Sequence, residues 1–84
     1  MQVVLVEWVD AVTWDNWAEV EAAEQSTLKT AFAAGFLISD NTDKVTIALL
    51  SAHSCGAVSS WVNIPKPNIK RMEVLKEIDW KEYD

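Results

Sequence analysis

Leu28-Lys29-Thr30-Ala31-Phe32-Ala33-Ala34-Gly35-Phe36-Leu37-Ile38 is the stretch whose reading decides the fold. Two structures compete for it. Its alanines favour helix, and such a helix would continue one suggested upstream, where Trp17, Val20 and Ala23 or Glu24 recur every three or four residues and Asn16 with Glu19 resembles a capping box. Against this, Thr30, Phe32, Ala34, Phe36 and Ile38 alternate with Lys29, Ala31, Ala33, Gly35 and Leu37. The alternation passes through Gly35 without a break. A period of two belongs to a strand, so residues 29–38 are read as one, and any helix is confined to a turn or two within 17–25.

Working outward, Ser39-Asp40-Asn41-Thr42-Asp43 supplies five consecutive turn formers and signals a hairpin. The return strand is 44–50, with Val45, Ile47 and Leu49 on one face. Residues 51–56 read as loop and 57–64 as a further strand, which Pro65 and Pro67 interrupt. A short closing strand follows at 69–75, and 76–84 reads as a flexible or interface tail. Upstream, Val-rich 3–10 is a first strand with Val4, Val6 and Trp8 on one face and Glu7 on the other. Five short strands with tight connections predict a single mainly β domain over 1–84, a small barrel or strongly bent sheet, because closure removes exposed edges.

The chain has 84 residues, half of them hydrophobic and five of them Trp. A domain this short buries only about 60% of the surface its unfolded chain exposes, and Trp is enriched at the centres of interfaces. Self-association is therefore expected. The start of the chain reads as a strand and not as a signal peptide, and no stretch approaches the roughly 20 apolar residues of a membrane span. These features predict a cytoplasmic protein with no membrane partner.

Little in the sequence suggests catalysis or a cofactor. Cys55 is the single cysteine and His53 the single histidine, so neither a disulfide nor a metal framework is available. His53, Ser54 and Cys55 lie together, but a nucleophile needs a base within reach and a third group to orient that base. Gly35 and Gly56 are isolated, which excludes a phosphate-binding glycine loop. The expectation is a non-enzymatic protein without cofactor or metal.

The net charge is −6, and residues 1–28 hold six carboxylates and no Lys or Arg. This charge repels polyanions at long range, so a nucleic-acid surface would have to be local and lie in the later two thirds of the chain. Lys66, Lys70 and Arg71 fall there within six residues, beside Asn63 and Asn68 and between stiffening prolines. Trp61 offers a ring for stacking, and Asp40 and Asn41 offer an acceptor and an amide. Asp40, Asn41, Trp61, Lys66, Asn68, Lys70 and Arg71 are thus the candidate contacts to single-stranded RNA or DNA. Three cations bind weakly alone, and repetition around a pore would strengthen them by multivalency.

In order along the chain, Val6-Glu7-Trp8-Val9-Asp10, Gly35-Phe36-Leu37-Ile38 with its Asp40–Asp43 turn, Lys44-Val45-Thr46-Ile47-Ala48 and Ile64-Pro65-Lys66-Pro67-Asn68-Ile69 resemble small phage-encoded proteins, some from marine viral sequence, of Sm-like fold. The resemblance spans about residues 3–75. It implies a strongly bent, five-stranded open barrel of SH3-like architecture whose outer strands pair between copies to form a ring. It also implies single-stranded RNA held at the pore, by an Asp-x-Asn arrangement after the second strand and a basic loop before the last. Asp40 and Asn41 match the first without the intervening residue, and Lys66-Pro67-Asn68 matches the second with Pro in place of Gly. The strand that precedes residues 17–25 also departs from the usual order, in which the helix comes first. The function expected is a ring-forming binding protein; the alternative is a phage structural or accessory assembly protein with protein-only contacts.

Overall fold

A computed structural model describes residues 1–10 and 16–83. Trp14 and the remainder of 11–15 lie outside the described residues, as does Asp84. Five strands form one antiparallel sheet: β1 (Gln2–Asp10), β2 (Lys29–Asp40), β3 (Lys44–Ala52), β4 (Ala57–Pro65) and β5 (Ile69–Glu77). Their spatial order is β4-β3-β2-β1-β5. The disputed stretch is a strand from Lys29 onward, and a helix, α1, is limited to Val20–Gln25.

The strongly bent Sm-like barrel expected from the sequence is not formed. The sheet is open, neither closed nor strongly curled: β4 and β5 are its two edges and share no ladder. The two middle strands also part. The β2–β3 ladder covers only Phe36 to Asp40 against Ala48 to Val45, interrupted by a bulge between Leu37 and Ser39. Residues 29–34 of β2 therefore pair with β1 alone, and residues 50–52 of β3 with β4 alone. The radius of gyration is 16.7 Å, against about 12 Å for a compact domain of this length.

Gly35 sits where the strands part. A Cβ at this position would stand 2.6 Å from the backbone oxygen of Ala48, so only glycine permits the approach of β2 to β3. Register explains the core as well. Val4 lies opposite Gly35 and Val6 opposite Ala33, so these small residues of β2 leave room for larger side chains of β1 and β3 to meet across them. Val4, Val6, Val45, Ile47 and Ile64 form the buried cluster, flanked by Trp8, Ala33, Leu37, Ile69 and Met72. The expected face of Val4, Val6 and Trp8 is thus the core face.

Helix α1 buries none of its residues, and its N-cap is Glu19 with no side-chain cap bond, so the Asn16 capping box does not form. Residues 16–28 are exposed throughout. At the other end of the chain, part of the expected tail completes β5, and a 3₁₀ turn at Trp80–Glu82 follows. The Trp80 ring stacks on His53 at 4.6 Å and contacts Phe36 and Tyr83, each at 6.2 Å between ring centroids.

Candidate nucleic-acid interface

The seven candidate residues fall into three places. Asp40, Asn41 and Lys66 come together because Pro65, the last residue of β4, pairs with Lys44, the first of β3. A 3₁₀ turn at Lys66–Asn68 then carries the chain to β5. The Lys66 backbone N–H donates to the Asp43 carbonyl at 2.9 Å, and the Lys66 ammonium forms an ion pair with the Asp40 carboxylate. Asn41 is committed to the turn. Its side-chain oxygen accepts from the backbone N–H groups of Asp43 at 2.8 Å and Lys44 at 3.0 Å, as Asn does when it closes a turn on its own backbone.

Asn68 and Lys70 form a second group against the far ends of β1 and β2. The Asn68 amide donates to the Val9 carbonyl at 3.3 Å, and the Lys70 ammonium donates to the Thr30 hydroxyl at 3.4 Å. Together with Asp10, Leu28, Pro67 and Ile69 they border an open depression of about 310 Å³. Arg71 stands apart on β5, opposite Glu7 across the ladder and 3.7 Å from the Glu73 carboxylate. Two of the three expected cations therefore already face carboxylates. Exposed pairs of this kind hold each other weakly, by about 0–1 kcal/mol, so a phosphate can compete for either cation.

Trp61 occupies the third place. It lies on edge strand β4 opposite Ala48, and the residue is 58% exposed. Two residues further, on the same side of the sheet, Asn63 lies opposite Thr46. The buried Thr46 hydroxyl donates to the Asn63 side-chain oxygen at 2.6 Å, and the Lys44 ammonium donates to the same oxygen at 3.3 Å. Asn63 was noted in the sequence only as a neighbour of the basic residues. Its fixed orientation depends on cross-strand register, which the local pattern does not carry.

The residues weighed for catalysis are engaged otherwise. Cys55 Sγ contacts the Ala52 carbonyl at 3.5 Å, and the His53 ring stacks on Trp80. Among the described residues, no group of three or more His, Cys, Asp or Glu is placed to hold a metal ion. No helix among them is long and apolar enough to cross a membrane. Comparison with family models, curated proteins and solved structures finds no match.

Proposed function

We propose that the protein is a non-enzymatic binding protein that self-associates through the two edges of its sheet and holds single-stranded RNA or DNA on polar residues repeated by that association. The observation that carries this reading is the pair of unpaired edges, β4 and β5, each nine residues long. An edge presents a row of free backbone donors and acceptors and is a template for another strand. The surface area agrees. The chain exposes 6476 Å², whereas a compact monomer of this mass exposes about 5000 Å². The exposed arm at 16–28 accounts for part of the excess.

Binding of nucleic acid is supported by the placement of Lys66 beside the β2–β3 turn, of Asn68 and Lys70 around an open depression, and of an exposed Trp61. An aromatic plate with flexible cations is the usual equipment for unpaired strands. The test combines sedimentation, for the size of the assembly, with titration of labelled single-stranded oligonucleotides at two salt concentrations. Saturable binding by the assembly, weakened by salt and by replacing Lys66, Lys70 or Arg71 with Ala, is the expected result. An assembly that binds no oligonucleotide would leave self-association standing and favour protein-only contacts.

A further inference from the structure

We propose that β5 of one copy pairs antiparallel with β5 of a second copy about a two-fold axis at Met72, so that Arg71 of each chain meets Glu73 of the other. This rests on the self-association reading above and names the strand that the β5 edge takes. The regular stretch of β5 decides the register. Arg71, Met72, Glu73 and Val74 lie opposite Glu7, Val6, Leu5 and Val4 of β1, and the pairing shifts on either side of them. Val4 and Val6 belong to the buried cluster, so Met72 and Val74 share the core face, and Arg71 and Glu73 share the opposite one.

Two copies joined antiparallel at one edge keep the same face of the sheet on the same side, so residues that meet must share a face. Any of the four residues of the regular stretch can then lie on the axis. With Arg71 or Glu73 there, like charges meet, which destabilises a strand pair. With Val74 there, both charges are carried past the irregularity beyond it. With Met72 there, Arg71 meets Glu73 twice. Each guanidinium then stands between two carboxylates, Glu7 on its own β1 and Glu73 on the second copy. Within one chain Arg71 and Glu73 are exposed, with their charged groups 3.7 Å apart, and residues two apart on a strand are separated by roughly 6.6 Å. A residue directly across an antiparallel pair is nearer, at about 4.5–5.5 Å between Cβ atoms. The other edge answers neither charge. Residues Ala57–Pro65 of β4 include no charged side chain, so β4 opposite β5 would leave Arg71 and Glu73 without a counterpart. Midway along β4, Ser60 also holds a left-handed φ of 56°, which interrupts a regular ladder.

The experiment is sedimentation of the full chain over a range of concentrations, without oligonucleotide, beside Arg71→Glu and Glu73→Arg. Each variant is run alone and then in an equimolar mixture of the two. Alone, either substitution sets two like-charge pairs across the axis. In the mixture, the two acidic residues of one variant meet the two basic residues of the other. Both side chains are exposed, and circular dichroism establishes that each variant keeps its sheet. The dissociation constant of each variant alone should rise roughly ten-fold or more, and the mixture should return to within roughly three-fold of the native value. Native assembly by both variants alone, or no recovery on mixing, would overturn the pairing of β5 with β5 and leave self-association to the β4 edge. A native chain that sediments as a monomer at every concentration would overturn both.

Discussion

Replacing Gly35 with Ala tests whether the contact between β2 and β3 sets the stability of the sheet. The new methyl would lie 2.6 Å from the Ala48 oxygen and 3.2 Å from its carbonyl carbon. Both are backbone atoms and cannot swing aside, so the ladder itself must move. Overpacking of this kind costs about 1–3 kcal/mol. Against it, alanine removes some freedom from the unfolded chain, a gain of about 0.4–1 kcal/mol. The clash wins, with a net loss of about 1–2 kcal/mol. A domain of this size has total stability of roughly 4–13 kcal/mol, so that loss is a substantial fraction. With a urea slope of about 1 kcal/mol/M, the midpoint should fall by about 1–2 M. Tryptophan fluorescence reads the transition, at a single protein concentration because association shifts midpoints. Hydrogen exchange should quicken at Phe36 and Leu37, which pair with Ala48 and Ile47. A midpoint within about 0.3 M of the native value would refute the argument that β3 crowds this position.

Other outcomes follow from the same geometry. Asp40→Asn releases the Lys66 ammonium from its ion pair, so oligonucleotide affinity measured by polarisation should rise while thermal stability changes by less than about 1 kcal/mol. Trp80→Ala removes the ring that touches His53, Phe36 and Tyr83 and should cost about 2 kcal/mol, less than a fully buried Trp. Trp17→Ala, at a fully exposed position, should stay within about 0.5 kcal/mol, and paired urea titrations compare the two. Lysine in place of Val62 on β4 and Val74 on β5 charges both edges, as natural sheets do to prevent pairing. Sedimentation should then report a smaller species than the native assembly, with an unchanged circular dichroism spectrum.

β1 was the most legible strand because Val4 and Val6 are buried and Leu5 between them is not, a period of two that its sequence shows directly. The stretch at 28–38 shows the limit of propensity: its alanines suit a helix, yet it pairs with β1 as a strand, and Gly35 is small because the Ala48 backbone of β3 leaves no room for a Cβ there. Closure was not legible. It requires a ladder between β4 and β5, and whether two edges meet depends on the bulges and the parting of β2 from β3. No local pattern encodes those. The Asn16 box failed for a related reason, since α1 packs on nothing that would select its start. At the candidate interface, residue types were readable but their partners were not. Asp40 and Lys66 are 26 positions apart, and Asn63 acquires its orientation from Thr46 and Lys44 across the ladder.

The position of β1 has a consequence for how the chain reaches this state. β1, made before the other strands of this sheet, lies between β2 and β5, and its residues Gln2 and Val3 pair with Glu77 and Lys76. One flank of β1 therefore waits until residues 69–77 have been synthesised before its neighbour exists. Bringing such distant residues together is slow, and an interior strand left bare in the interval is prone to capture by another nascent copy. Slow translation or low temperature at expression should therefore alter the yield of correctly paired protein more than any change in the exposed arm at 16–28.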